Sequence, residues 1–260
     1  MTPRVWLDRL AGRTLSGPGV QRRFNGEQLR LPARWARFYP EVYEPEKYRF
    51  VRANCPPGGT VVDAGAHIGV YTVVMARAVG PAGRVLSLEP APRTRAVLTA
   101  VVEMNGVGET VEVRPEALGA TEGTSTLHVP PRPISNASST VRSGARPDAR
   151  PIEVPATTIG SLLGDAAADL IKLDIEGDEL DALRSARELL SRARPALAVE
   201  VHPEALSARG QSATEVLELL EEAGYRIGDA AAIRALLAAD PRTGPFELQA
   251  LHPDRPGSRG

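Results

Sequence analysis

The 260-residue chain is poor in cysteine and in net charge and has no long apolar run, and each shortage excludes a class of protein. Its single cysteine, Cys55, excludes an intrachain disulfide framework, and we expect a small core residue there rather than a nucleophile. A formal net charge of -1 gives no overall basic field to attract nucleic acid. No apolar run approaches the ~20 residues of a membrane helix, and the charged N-terminus lacks the apolar core of a secretory signal. We therefore expect a soluble cytoplasmic protein with neither a nucleic-acid nor a membrane partner.

Aromatic residues are also scarce, at 4% of the chain, yet they concentrate before residue 51. The aromatic residues between positions 26 and 50 are Trp35, Phe38, Tyr39, Tyr43, Tyr48 and Phe50. Charge and proline are mixed among them, which predicts an N-terminal helical or loop segment, residues 1–50, that packs on a main domain, residues 51–260. Tyr43 and Glu44 immediately precede the main domain and are candidates for the wall of a substrate pocket.

From residue 60 onward, strand and helix patterns alternate. Apolar runs such as TVVDAG, RVLSLEP, ADLIKLD and ALAVEVH predict buried strands, TVEVRPEAL and TSTLHV predict two more, and FELQAL predicts the last. DELDALRSARELLSRARP predicts one amphipathic helix. The alternation indicates an α/β domain with a mostly parallel sheet and helices on both faces. Residues 130–151, rich in Pro, Ser, Arg and Gly, predict a long loop that is a candidate lid.

The stretch VVDAGAHIGVYT, residues 61–72, contains the first chemical motif. The dinucleotide fingerprint is G-x-G-x-x-G, but Asp63 stands at its first position and the step from Gly65 to Gly69 is one residue too long. D-x-G-x-x-x-G instead fits a turn whose backbone approaches the amino-acid part of S-adenosylmethionine. Asp63 would organise that turn and reach the ligand's ammonium group, directly or through water.

Acidic residues at the ends of the next two strands extend this first motif. Glu89 ends RVLSLEP, where a carboxylate can accept hydrogen bonds from both ribose hydroxyls. Glu116 and Ala117 follow the third strand, where an adenine edge could bind, although a plain loop is nearly as good an interpretation. Asp63 and the step from Gly65 to Gly69 favour S-adenosylmethionine over a dinucleotide, and Glu89 supports that choice.

A second acidic motif follows two later strands. Asp174 ends one buried strand in KLDIEGDE, with Glu176 two residues on, and Glu200 and His202 end the next in VEVHPE. Neighbouring parallel strands would bring Asp174, Glu200 and His202 to the same edge of the sheet. Like charges gathered in this way must be compensated, which favours a functional role for these three over plain salt bridges. For Glu176, helix capping is an equally good interpretation.

These motifs together resemble the FkbM family of S-adenosylmethionine-dependent methyltransferases. The resemblance rests on VVDAGAHIGVYTVVMA, VLSLEPAP, IEVPATTIGSLL, DLIKLDIEGDELDAL and LAVEVH, and covers most of residues 41–203. It implies a Rossmann-like class I methyltransferase fold with a mostly parallel seven-stranded sheet. It also implies O-methylation of a hydroxyl on a small molecule, either a natural product of secondary metabolism or a sugar.

The resemblance also assigns residues. The donor-binding positions it implies are Asp63, Gly65, His67, Gly69 and Glu89, and SNASST at residues 135–140 is similar to the family's polar loop. Asn105 matches a recurrent family asparagine, and His67 replaces a common asparagine. Gly160 stands where the family usually has an aspartate, so this chain departs from the pattern there.

Two mechanisms and two competing functions remain open. His202, oriented by Glu200, could act as general base for an acceptor hydroxyl, with Asp174 at the same site. Alternatively, Asp174, Glu200 and His202 could hold a divalent ion such as Mg²⁺ or Mn²⁺. An NAD(P)-dependent oxidoreductase is disfavoured by the missing first glycine and the absence of a Tyr-x-x-x-Lys pair. A catalytically silent S-adenosylmethionine-binding protein is disfavoured by the intact second motif.

The acceptor is expected to be a small molecule or a carbohydrate. The candidate lid carries four arginines against Asp148, so an anionic acceptor is also conceivable. They are Arg132, Arg142, Arg146 and Arg150.

Overall fold

The computed structural model of the protein describes residues 19–130 and 148–255. Most of the candidate lid and the whole of SNASST lie outside the described residues, so the predictions made for them are not taken further. Among the helices within those two ranges, none is long and apolar enough to cross a membrane.

The described residues form strands and helices that alternate along most of the chain. The strands are β1 (Val20–Phe24), β2 (Glu27–Leu31), β3 (Thr60–Ala64), β4 (Arg84–Leu88), β5 (Val111–Arg114), β6 (Ala117–Leu118), β7 (Gly123–Val129), β8 (Arg150–Thr157), β9 (Leu170–Leu173), β10 (Ala196–Val201), β11 (Arg226–Ile227) and β12 (Phe246–Leu251). The helices are α1 (Ala33–Ala36), α2 (Pro45–Ala53), α3 (Val70–Val79), α4 (Pro92–Met104), α5 (Ile159–Leu163), α6 (Glu179–Ser185), α7 (Arg187–Ala193), α8 (Pro203–Ala208), α9 (Ala213–Glu222) and α10 (Ala230–Ala239).

The central sheet has seven strands in the order β11-β12-β10-β9-β3-β4-β5. Neighbours are parallel except at β12, which runs antiparallel to both β10 and β11. The first strand of this sheet along the chain is β3, in its middle. Strands β4 and β5 are added on one side of β3, and β9, β10, β12 and β11 then fill the other side. This is the Rossmann-like class I methyltransferase fold that the resemblance implies. The reversal between β3 and β9 opens a crevice at the carboxyl ends of the strands, where ligands bind in such sheets.

Successive residues of the central strands pack on opposite faces of the sheet. Val62 and Ala64 of β3 belong to one buried cluster, and Val61 belongs to another. Helices cover both faces, so these strands read as nearly continuous apolar runs. One buried polar pair, Asp63 opposite Lys172, interrupts these runs near the carboxyl ends of β3 and β9.

Two predicted elements are each divided in two. TVEVRPEAL is not one strand, because β5 ends at Arg114 before Pro115, which restricts the residue in front of it and has no N–H for a ladder. Strand β6 then joins a separate three-stranded sheet in the order β6-β8-β7. The single helix predicted after Asp178 breaks at Ala186, where the Ser185 hydroxyl donates to the Ala182 carbonyl, 2.7 Å away.

The N-terminal segment was expected to contain only helices and loops, and this is wrong. Strands β1 and β2 form an antiparallel hairpin through Asn25 and Gly26, whose φ angles of 46° and 92° suit a tight two-residue turn. The missed signal is the Asn-Gly pair between two runs of alternating polarity. The hairpin packs on α3 and β3 in one cluster, and the boundary predicted after residue 50 falls inside α2. Helices α8 and α10 were also missed.

Candidate functional site

Two adjoining cavities lie at the carboxyl ends of the central strands. The first, here called the cleft, encloses about 710 Å³ of space that is partly open to solvent. Its polar and turn residues include Gly65, His67, Glu89, Thr94, Glu116, Asp174, Glu176 and Asp178. The second cavity encloses about 380 Å³ and is lined by Tyr39, Tyr43, Glu44, Gly65, Ala66, His67, Val70, Tyr71, Lys172 and Asp174. The two share Gly65, His67 and Asp174 and are therefore neighbouring parts of one site.

The glycine turn between β3 and α3 is shaped by two close approaches. A Cβ atom on Gly65 would lie 1.7 Å from the backbone oxygen of Asp174, and one on Gly69 would lie 2.4 Å from the Leu98 side chain. Both residues also have positive φ angles, of 71° and 88°. Glycine is needed at 65 so that the turn can meet the end of β9, and at 69 so that α3 can pack against α4.

His67 ties the turn to the N-terminal segment. Its Nδ1 lies 2.9 Å from the Tyr39 hydroxyl, and its ring packs edge-on against Trp35. Burial and, to a smaller extent, the charge of Lys172 lower the pKa of His67 to about 4. The imidazole is therefore neutral at physiological pH, and it forms a hydrogen bond without adding charge to the turn.

Asp63 is fully buried and has only internal partners. Thr72 Oγ1 donates to its Oδ2 over 2.6 Å, and Lys172 Nζ lies 3.2 Å from its Oδ1. Asp63 thus organises the turn, as predicted. The prediction that it reaches a ligand directly is corrected, because its carboxylate is 0% exposed and lines neither cavity.

Glu89 stands at the end of β4 with both carboxylate oxygens fixed by backbone amides. His67 N–H donates to Oε2 over 3.0 Å, and Ala91 N–H donates to Oε1 over 2.9 Å. Burial raises the pKa of Glu89 to about 7, although these two hydrogen bonds oppose the rise. The side chain is a rigid acceptor on the cleft wall, in the place predicted for a ribose-binding carboxylate.

Glu116 lines the cleft beyond Glu89, together with Ala117. Arg114 Nε and Nη2 donate to its two oxygens over 3.1 and 2.7 Å, a bidentate pair. These hydrogen bonds lower the pKa of Glu116, so the carboxylate is ionised and held in one orientation.

The second acidic motif comes together as predicted. Ligand atoms of Asp174, Glu200 and His202 all lie within 4.8 Å of one another. The prediction that Glu200 orients His202 is wrong, however. His202 Nδ1 lies 2.9 Å from Glu179 Oε1, and its Nε2 lies 3.5 Å from Glu176 Oε2. The stretch KLDIEGDE, residues 172–179, therefore supplies both partners of His202.

Glu200 is held by a buried lysine of the N-terminal segment. It lies directly opposite Glu247 across β10 and β12, an arrangement of like charges that needs compensation. Lys47 Nζ, with 5% of its side chain exposed, lies 2.7 Å from Glu200, 3.0 Å from Glu247 and 3.2 Å from Glu44. Sequence reasoning missed Lys47, since nothing local connects it to Glu200 and Glu247, which lie 153 and 200 residues further along the chain.

The surroundings of His202 bear on both predicted mechanisms. Burial opposes protonation, but the hydrogen bond and charge of Glu179 and the charges of Glu176 and Asp174 raise the pKa of His202 to about 9. The imidazolium form is thus favoured at neutral pH, which disfavours the general-base role predicted for His202. A cation already faces Glu200, and Lys172 Nζ lies 3.8 Å from Asp174, so a divalent ion would have to displace existing ion pairs.

The other residues that the sequence singled out have structural roles and line neither cavity. Asn105 Oδ1 accepts from Arg30 N–H over 3.0 Å, and its Nδ2 donates to Arg30 O over 2.8 Å, which joins α4 to the hairpin. Gly160 lies in α5, whose first turn is capped by the Thr158 hydroxyl accepting from Ser161 N–H over 3.0 Å. Cys55 is buried, and burial raises the pKa of its thiol to about 12, which agrees with a core role.

Comparisons with known proteins place the chain in a family. A sequence model of the Methyltransferase FkbM domain matches residues 63–227, which contain the glycine turn, Glu89 and the second acidic motif. No curated protein matches the chain.

Solved structures resemble the chain only distantly. A methyltransferase FkbM from Methylobacillus flagellatus is 22% identical over 65% of this chain and 39% of its own, with a TM-score of 0.45. A SAM-dependent O-methyltransferase from Thermotoga maritima is 14% identical over 91% and 78%, with a TM-score of 0.49. An O-methyltransferase from Bacillus cereus in complex with SAH is 16% identical over 81% and 82%, with a TM-score of 0.43. Because none reaches a TM-score of 0.5, the ligands of those proteins are not transferred to this one. The family match alone spans more than half of the sequence, and the chain belongs to the FkbM family of methyltransferases.

Proposed function

We propose that this protein transfers a methyl group from S-adenosylmethionine to a hydroxyl oxygen of a small molecule, either a natural product or a sugar. The observation that supports the donor best is Glu89, a buried carboxylate fixed by two backbone amides on the wall of a cleft that begins at the glycine turn. A carboxylate held in this way keeps free lone pairs for a vicinal diol. The single buried cysteine suits the reducing cytoplasm proposed as its location.

The chemistry of the cleft fits this donor. Its carboxylates, at Glu89, Glu116, Asp174 and Glu176, suit a ligand that carries a sulfonium, an ammonium and two ribose hydroxyls. Glu89 would hold the ribose, Glu116 and Ala117 would flank the adenine, and Asp174 would face the cationic end. When bound, S-adenosylmethionine supplies an already activated methyl group, so alignment of the acceptor is the protein's main task.

The acceptor is assigned to the second cavity. Tyr39, Tyr43 and Glu44 of the N-terminal segment form one wall, and Gly65 and Asp174 join it to the cleft. An acceptor there would lie beside the donor's reactive end, and the N-terminal segment would shape it.

An aliphatic hydroxyl must lose its proton to become a good nucleophile, and Asp174, His202 and Glu200 would divide this task. Asp174 lines both cavities and would take the proton. His202 is cationic and held by Glu179, so its charge would offset that of the carboxylates around it. Glu200, paired with Lys47, would maintain the charge of the acceptor side.

Product analysis tests the proposed reaction. The protein would be incubated with methyl-labelled S-adenosylmethionine and a panel of hydroxylated sugars and natural products, and the label located by NMR. We expect O-methyl products whose formation is lost in Asp174→Asn. Label found only on nitrogen or carbon would contradict O-methylation, and no S-adenosylhomocysteine from any acceptor would contradict methyl transfer within that panel.

The divalent-ion alternative is tested by chelation. The ion pairs of Glu200 and Asp174 favour a metal-free site, so we expect full activity after EDTA treatment and removal of the chelator. Loss of activity that Mg²⁺ or Mn²⁺ restores would instead support metal binding by Asp174, Glu200 and His202.

A further inference from the structure

The surroundings of the second cavity hold more negative than positive charge. Two buried ammonium groups are shared among five carboxylates that lie within 3.8 Å of them. Lys47 serves Glu44, Glu200 and Glu247, and Lys172 serves Asp63 and Asp174. Because His67 is neutral, it adds no compensating charge. Among the residues that line the cavity, the carboxylates Glu44 and Asp174 outnumber the single ammonium group of Lys172, so a ligand entering it meets an excess of negative charge.

The walls of the cavity suit an organic cation better than a metal ion. Tyr39, Tyr43 and Tyr71 line it, and aromatic faces attract ammonium groups in addition to carboxylates. Tyr71 is 7% exposed, and Glu44 lies beside its hydroxyl. Lys47 Nζ and Lys172 Nζ lie 6.0 and 5.9 Å from the centroid of its ring, so ammonium groups already gather around this tyrosine.

We propose that the acceptor bound in the second cavity carries a protonated amine close to the hydroxyl that is methylated, as an amino sugar does. This rests on the proposed function, which places the acceptor there. Glu44 and Asp174 are the carboxylates on the cavity wall, and they accept the hydrogen bonds of the ammonium group. An anionic acceptor, which the arginines of the candidate lid suggested, meets repulsion at this wall.

A metal ion is the other cation that this charge could attract. The residues that could hold one are already engaged, since Glu200 pairs with Lys47 and His202 with Glu179. The tyrosine rings that line the same cavity add nothing to metal binding, whereas they contribute directly to an ammonium site. The amine is therefore the occupant that accounts for both the carboxylates and the tyrosines.

Three sugars that share a ring and differ in charge test this inference. Glucosamine, glucose and glucuronate would each be titrated calorimetrically, at neutral pH, into protein saturated with S-adenosylhomocysteine. We expect glucosamine to bind about tenfold more tightly than glucose, the effect of one charge-assisted hydrogen bond, and glucuronate to bind most weakly. Equal affinities, the reverse order, or no binding of any of the three would overturn the amine.

Two variants and a metal titration complete the experiment. Glu44→Gln should remove most of the preference for glucosamine, while Glu46→Gln, which changes a side chain 76% exposed on the same helix, should keep it. Unchanged preference in Glu44→Gln would contradict the assignment, and so would Mg²⁺ binding that excludes glucosamine from EDTA-treated protein. Binding of S-adenosylhomocysteine is measured first in each sample. Its absence would refute the donor site itself, whereas its presence without amine preference would refute only this inference.

Discussion

At the scale of single residues, the site depends on a few close contacts around the turn that follows β3. Gly65 permits the turn after β3 to touch the end of β9, and Glu89 is fixed by two amides that the same turn supplies in part. These positions could be predicted because the signal is local, in a turn and in the acid that ends the next strand. The partner of His202 could not, because Glu179 and Glu200 are both acidic and only the folded geometry chooses between them.

The close approach at Gly65 predicts a large cost for a single methyl group. Gly65→Ala combines a positive φ angle with a Cβ atom 1.7 Å from the Asp174 carbonyl oxygen, so we expect a loss of about 3 kcal/mol or more in the free energy of unfolding. Gly58→Ala is the matched control, since its φ of 76° is similar but nothing lies within 4 Å of the added atom. Urea unfolding of both variants measures the difference, and equal losses would contradict the role of the contact.

The pairing of His202 with Glu179 predicts a pH dependence of stability. The pKa of His202 is raised from 6.5 to about 9, so its stabilisation is complete below pH 6.5 and is lost as the pH rises through 9. Glu179→Gln should move the pKa back toward its ordinary value and flatten this fall, whereas Glu204→Gln, an exposed change on α8, should do neither. NMR titration of the histidine rings measures the pKa. An unshifted His202 pKa in Glu179→Gln would contradict the pairing.

At the scale of elements, the strand pattern predicted the sheet well and the segment boundaries less well. Buried apolar runs identified β3, β4, β9 and β10, because a sheet covered on both faces demands them. The breaks at Pro115 and Ala186 were missed, although a proline before AL and a serine that competes for backbone carbonyls were visible in the sequence. The hairpin of β1 and β2 was also missed, although its Asn-Gly turn is a strong local signal.

Helix α5 shows what the departure at Gly160 means. A Cβ atom there would meet other atoms only at 3.8 Å, and the residue lines neither cavity. Gly160→Ala should therefore stabilise the protein by about 0.5–1 kcal/mol without changing donor affinity. Gly164→Ala, at a φ of 55° after the same helix, should destabilise it by about 1–2 kcal/mol. Thermal unfolding distinguishes the two, and a loss of stability in Gly160→Ala would show that glycine is required there.

At the scale of the whole molecule, the N-terminal segment completes the site rather than merely covering the core. Tyr39 contacts the glycine turn through His67, and Lys47 reaches the ends of β10 and β12. These contacts join residues 28 to 200 positions apart, so no local pattern in the sequence could indicate them. The aromatic cluster before residue 51 predicted the interface with the main domain, but not the buried lysine that ties this segment to the sheet.

Lys47 should therefore matter to global stability far more than a surface cation does. Lys47→Met leaves Glu44, Glu200 and Glu247 without their shared partner, and we expect a loss of about 3–5 kcal/mol in the free energy of unfolding. Arg49→Met removes an exposed ion pair on the same helix and should cost no more than about 1 kcal/mol. Urea unfolding measures both, and similar losses would contradict the buried cluster.

Calorimetric titration of the purified protein with S-adenosylmethionine, and separately with NAD, tests the donor site most directly. The turn from Asp63 to Gly69, which departs from the dinucleotide fingerprint, together with Glu89 predicts that S-adenosylmethionine binds and NAD does not. The geometry of Glu89 further predicts that Glu89→Gln weakens the affinity about tenfold or more, because a carboxylate accepts stronger hydrogen bonds from the ribose than an amide does. Glu103→Gln, an exposed change on α4, should leave the affinity unchanged. Binding of NAD without S-adenosylmethionine, or full donor affinity in Glu89→Gln, would contradict the account.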